Sequence, residues 1–222
     1  MLLSCYSMLN IALVLIAASG AWAARPLATE DAGIVPSRAI EVEFGSDLTG
    51  CRDGSREHGL GGVIKGGLTG RLDVGLGVPY RLGPESGWCP AQMSLKFAIW
   101  ERGNSPGGLS LMFSHCVGHG EYRLCGIASR ELGSLRAHLN VSHEVPGEEG
   151  RGVSGLAAAL ELPAGRNFEL VQEVAAEGDV MTSLSGARWS ASNALAFDAG
   201  VGFGLNSSSP RVRTTAGLTV RL

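Results

Sequence analysis

Four cysteines are the first residues here whose types and spacing could do chemistry: Cys51, Cys89, Cys116 and Cys125. In an oxidising compartment four thiols allow three disulfide connectivities. A two-residue type II′ turn at Gly120-Glu121 would place Cys116 opposite Cys125, leaving Cys51 and Cys89 to bridge two loops. His115, Cys116 and His119 have the chemistry of zinc ligands, but a closed zinc site needs four and no second cluster accompanies them. No metal is expected. Gly152-Val153-Ser154-Gly155 lacks the spacing of a nucleophile elbow. Ser142 and His143 are neighbours, so on a strand they point to opposite faces and cannot form a dyad directly. The spacing Gly200-x-Gly202-x-Gly204 is followed by no crossover helix, which removes a dinucleotide site. These residues predict no catalytic group, no enzyme activity and no cofactor.

What remains is charge at regular spacing. Glu41, Glu43, Arg71, Asp73, Lys96, Arg136, Glu169, Glu173, Arg188, Asp198, Arg213 and Arg221 fall on the polar parity of alternating segments, as do Lys65, Arg123 and Glu161. The opposite parity is Leu, Val, Ile, Phe and Ala. Asn193 to Leu222 shows the pattern most clearly. There Leu195, Phe197, Val201 and Phe203 oppose Asp198, Gly200, Gly202 and Gly204. After Ser207-Ser208-Ser209-Pro210, Val212, Leu218 and Val220 oppose Arg213, Thr215 and Arg221. A period of two is the signature of strands with one apolar face. Read along the chain, it predicts about twelve strands, each near the ~9–11 residues that a tilted strand needs to cross a bilayer.

An antiparallel sandwich also alternates, with its charges in water. Strands in ordinary domains are typically about 5–6 residues, however, and twelve strands of about ten would be unusual there. Tight turns near 68–70, 103–107, 131–134, 163–165 and 192–193 alternate with longer, more polar loops at 48–56, 82–90, 145–151, 177–181 and 206–210. This is the outer-membrane pattern, broken only by a short connection at 118–121. The apolar run from Ile11 to Ser19 and the small residues of Ala21-Trp22-Ala23 read as an export signal, although no Lys or Arg precedes the run. An uncleaved anchor helix is the alternative. Residues 1–23 are thus expected as a signal peptide, 24–37 as a periplasmic extended lead-in, and 38–222 as an antiparallel up-and-down transmembrane β-barrel. The net charge of −3 argues against a nucleic-acid partner; the expected partners are outer-membrane lipid, the barrel-assembly machinery and a small-molecule solute.

Several stretches also resemble a known family. They are Arg25-Pro26-Leu27-Ala28-Thr29-Glu30-Asp31-Ala32-Gly33, Gly67-Leu68-Thr69-Gly70-Arg71-Leu72-Asp73-Val74-Gly75 and Leu162-Pro163-Ala164-Gly165-Arg166-Asn167-Phe168. With the closing Ala199 to Asn206 and Ala216 to Thr219, they resemble the outer-membrane transporters named for the MetA pathway of phenol degradation. Members commonly close on an aromatic residue, where this chain has Leu222. The resemblance implies a bacterial outer-membrane barrel that admits small aromatic or hydrophobic compounds by passive diffusion. Two alternatives stand beside it. One is a structural or adhesive barrel closed by residues 24–37 or by paired lumen charges. The other is an embedded hydrolase, which would need a nucleophile with a base in hydrogen-bond reach.

Overall fold

The computed structural model describes residues 25–83, 85–101, 108–147 and 151–222; the expected signal peptide lies outside them. Alternation of apolar and polar residues produces strands throughout. They are β1 (Ile40–Gly50), β2 (Arg56–Thr69), β3 (Leu72–Gly83), the two-residue β4 (Gly87–Trp88), β5 (Gln92–Glu101), β6 (Gly108–Cys116) and β7 (Glu121–Leu132). Then follow β8 (Leu135–Val145), β9 (Val153–Pro163), β10 (Phe168–Glu177), β11 (Val180–Ser190), β12 (Leu195–Gly204) and β13 (Val212–Arg221). No helix occurs among the described residues. Each strand pairs antiparallel with its chain neighbour, and β1 pairs with β13, so twelve strands close into a barrel while β4 pairs only with β3. The last residue completes the seam: the Ile40 and Leu222 main chains exchange hydrogen bonds of 2.8 and 3.0 Å.

Closure separates the two parities. Phe44, Ile64, Leu76, Phe97, Leu170, Val201 and Phe203 lie exposed on the outside. Glu43, Asp73, Lys96, Glu161, Glu173 and Asp198, from the intervening positions, are buried. Polar side chains on the outer face find partners of their own: Ser185 Oγ donates to Gln172 Oε1 at 2.5 Å across β10 and β11.

The β6–β7 connection departs from the predicted turn. Val117 to Gly120 form a four-residue turn in which Gly118 and Gly120 take φ of 86° and 65°, a region that residues with a Cβ adopt rarely. The register is therefore displaced: Cys116 faces Glu121, and Cys125 faces Met112. Cys116 and Cys125 are four positions apart along the ladder, roughly 13 Å at the rise of a strand. A disulfide needs Cα atoms within about 7 Å. The predicted Cys116–Cys125 bridge is thus ruled out by register, and Cys51 and Cys89 are free thiols as well. The β10–β11 connection, expected as a longer loop, is a tight Gly178-Asp179 turn, since Glu177 pairs directly with Val180.

The lead-in is the larger correction. Residues 24–37 were expected as a periplasmic extended lead-in, with a lumen closed by them as the alternative; from Arg25 on, the segment runs through the barrel interior. Leu27 is 1% exposed and packs on Ala159, Val171 and Leu184 from β9, β10 and β11. Ala32 packs on Cys125 and Ile127 of β7. At Arg38, with φ of 68°, the chain turns into β1. Arg38 N–H donates to Gly67 O at 3.0 Å, and Pro36 O lies so close to Gly67 that a Cβ there would be 2.1 Å away.

Candidate functional site

The candidate site is the lumen, and the lead-in divides it. On the side of the 51–55 and 205–211 loops lies a cavity of about 200 Å³, bordered by Ala28, Met112, Cys125, Leu184 and Arg123. On the side of the 70–71 and 133–134 turns lies another of about 570 Å³, bordered by Ala32, Lys65, Ser129, Arg136, His138 and Arg188. Glu30 borders both.

Inward side chains hold the lead-in through its backbone and its few polar groups. Glu173 of β10 accepts hydrogen bonds from Thr29 N–H at 2.5 Å and Thr29 Oγ1–H at 2.6 Å. Asn140 of β8 accepts from Glu30 N–H at 2.7 Å and donates to Glu30 O at 2.8 Å. Ser110 donates to Ala32 O, Ser129 accepts from Ala32 N–H, and Asp73 accepts from Val35 N–H at 2.9 Å. Lys96 Nζ lies 3.2 Å from the Glu30 carboxylate. An irregular segment without a neighbouring strand must have its buried amides satisfied by side chains, because buried main-chain groups are costly unpaired.

Arg25 has a socket. Its guanidinium lies 3.4 Å from Asp198 and 3.9 Å from Asp47, and donates to Thr215 Oγ1 at 2.6 Å and Ala216 O at 2.9 Å. Gly45 and Gly217 make the room: a Cβ on Gly45 would come within 1.9 Å of the guanidinium carbon, and one on Gly217 within 2.2 Å of Nε. Arg188 closes the socket by donating to Arg25 O at 2.7 and 3.1 Å.

The predicted charges are all found in this network except one. Glu43 meets Lys65 at 2.8 Å, and Glu41 meets Arg221 Nε at 2.8 Å. Arg213 meets Asp47 at 2.8 Å. Arg136 pairs with Glu169 and with Glu161 at 2.9 Å, while Arg188 pairs with Glu169 at 2.9 Å and Glu161 at 3.2 Å. Arg71 is the exception. It lies exposed in the β2–β3 turn, because Thr69 pairs with Leu72 and leaves Arg71 beyond the ladder. Arg221 sits at the rim, its side chain 61% exposed. At the loop end, Arg52 donates to Ser209 O at 3.0 Å and Asn206 O at 2.8 Å, tying two loops. Asp53 accepts from the hydroxyl and the amide of Ser55, which holds its carboxyl below the ordinary range.

Sequence reasoning missed the anchors Arg25, Thr29 and Asn140, and a hydrogen-bonded Ser129–His138 pair at 2.8 Å. The one available signal was the inward parity itself, where Ser110, Ser129, Asn140 and Thr215 are uncharged groups able to serve a main chain.

Solved structures share this architecture. The chain aligns with the COG4313 outer membrane channel from Pseudomonas putida F1 at a TM-score of 0.70 and 12% identity, covering 86% of this chain and 98% of that one. What the two share is the fold, a closed antiparallel β-barrel of twelve strands. A KdgM porin in complex with disordered oligogalacturonate aligns at 0.66 and 11%, covering 81% and 98%. The NanC porin aligns at 0.62 and 7%, covering 82% and 100%. No protein-family model matches the chain, and no curated protein matches it.

Proposed function

We propose that the chain is a bacterial outer-membrane channel for passive passage of small solutes. The observation that carries this reading is a closed barrel with an apolar exterior whose polar interior holds two cavities on either side of a pinned segment. The exposed Leu, Val, Ile and Phe of the outer face would be unstable in water as so large an apolar surface, and a bilayer accounts for them. Eight strands leave an interior filled by side chains and about sixteen leave an open aqueous channel. Twelve fall between, and the lead-in occupies much of what remains. Solute passage then requires room beside the lead-in or its displacement.

Two things support small aromatic or hydrophobic cargo: the sequence resemblance to the MetA-pathway transporters, and the apolar bodies of Met112, Leu184, Val180 and Ala175 on the loop-side cavity. Among the described residues the inward cations Lys65, Lys96, Arg25, Arg123, Arg136, Arg188 and Arg213 each meet a carboxylate, which gives a translocating polyanion no open basic track. One of the porins that align in fold is in complex with disordered oligogalacturonate; this lumen is not charged for such a cargo.

Planar-bilayer recording tests the reading. Folded, heat-modifiable protein is expected to give small, discrete single-channel currents that grow when the lead-in is loosened. Absence of current from both the native protein and an Arg25→Ala variant would count against transport and favour a closed structural barrel.

A further inference from the structure

Three serine–histidine contacts occur among the described residues: Ser46–His58 at 2.8 Å, His143–Ser154 at 3.0 Å and Ser129–His138 at 2.8 Å. Only in the third does a carboxylate lie near the far side of the imidazole, with His138 Nε2 3.6 Å from Glu161 Oε2. The three residues come from consecutive strands. Ser129 of β7 is the ladder partner of His138 of β8, and Glu161 of β9 is the ladder partner of Arg136, two positions from His138. All three border the turn-side cavity.

The hydrogen bonds admit a tautomer in which the Ser129 hydroxyl donates to His138. Ser129 Oγ accepts from Ala32 N–H at 2.8 Å, so its own proton is free to point at His138 Nδ1. A neutral imidazole with Nδ1 as acceptor carries its proton on Nε2, facing Glu161. Nε2 has no hydrogen-bond partner at standard distance; shortening the 3.6 Å gap would complete the relay, and such contacts are often long before substrate binds. Glu161 is held in place by Arg136 at 2.9 Å and Arg188 at 3.2 Å. Anchoring the lead-in would need only the Ser129 hydroxyl.

We propose that Ser129, His138 and Glu161 form a catalytic triad that hydrolyses short carboxylic esters reaching the turn-side cavity. Ser129 Oγ attacks the carbonyl carbon while its proton passes to His138 Nδ1, with Glu161 orienting the imidazole and stabilising its charge. As the Oγ lone pair forms the new bond, the Ala32 N–H is released toward the oxygen that becomes negative. The carbon–alkoxy bond breaks, and His138 returns its proton to the departing alkoxide. Water then attacks the acyl-serine, giving its proton to His138, which returns it to Ser129 as the acid leaves. One ester and one water become one acid and one alcohol, with no oxidant or reductant. Ala32, Gly33 and Gly108 present little side chain to the cavity and leave room for a short acyl group.

The test uses full-length folded protein in detergent, an alkyl fluorophosphonate probe with peptide mapping, and p-nitrophenyl butyrate hydrolysis. The expected result is an adduct on Ser129 and turnover that falls about 100-fold or more in Ser129→Ala and His138→Gln. His138→Gln can still hydrogen-bond Ser129, so heat-modifiability should be retained there. Ser154→Ala, at the pair lacking a carboxylate, should keep both adduct and turnover. No adduct on Ser129 of the folded protein, an adduct that survives His138→Gln, or one that maps to Ser154 would overturn the proposal and leave the relay an anchor of the lead-in.

Discussion

Arg25 shows how much a single side chain can decide in this barrel. Its charge is buried between Asp198 and Asp47, and Asp198 Oδ1 has no hydrogen-bond partner of its own. Removing one member of a buried pair costs about 3–5 kcal/mol because the other charge is left without compensation. Arg25→Ala should therefore loosen the lead-in, raising single-channel current and lowering the temperature at which the folded band is lost on gels. Gly45→Val should do the same for a steric reason, since the new side chain would occupy the guanidinium's place. If Gly45→Val gives native current and native melting, the socket does not hold the lead-in. None of this was legible at residue resolution. Arg25 belonged to a short polar segment, and Gly45 and Gly217 looked like ordinary inward glycines. Only their convergence from β1 and β13 makes a socket.

Among the elements, strand identity and facing were readable because the period of two is a local property. The position of Leu170, for example, follows from its neighbours alone, and it lies 50% exposed on the outside of β10. Leu170→Arg should cost up to about 2–4 kcal/mol of folding stability in a bilayer, the penalty for a charge on the lipid face near the midplane. Urea titration in vesicles would measure it, and a neutral result would argue that this face meets something other than lipid. Register was less legible. The Gly120-Glu121 pair looked like a two-residue turn, whereas the structure uses Gly118 and Gly120 together in a wider one. The corrected register puts Met112 opposite Cys125. Met112→Cys should consequently crosslink to Cys125 under mild oxidation, and the native chain unfolded without reductant should show four alkylatable thiols after Ala24. A native Cys116–Cys125 bridge found by non-reducing mass spectrometry would show the observed register to be wrong.

For the whole molecule, closure and occlusion are separate events with separate determinants. Closure depends on β1 meeting β13, which the alternation of both terminal segments already required. Occlusion depends on the lead-in finding Glu173, Asn140, Ser110, Ser129 and Asp73 on five different strands of the wall. Thr29→Val combined with Glu173→Gln should weaken the seat by less than the sum of the single changes, because both act on the one Thr29 Oγ1–Glu173 hydrogen bond. Additive effects on channel current would mean that the two residues act independently of each other.

By itself the sequence determined strand type, strand number, the two faces and the charged lining, since each follows from side-chain period and from the cost of placing charge in an apolar surround. The tertiary structure alone decided what those charges hold. A curved sheet of twelve strands brings residues more than a hundred positions apart within hydrogen-bond distance, as with Thr29 and Glu173 or Arg25 and Asp198. No local pattern encodes such meetings. The same closure that buries the polar parity settled which of two readings of the lead-in holds: it crosses the lumen, where its main-chain groups and its arginine find partners.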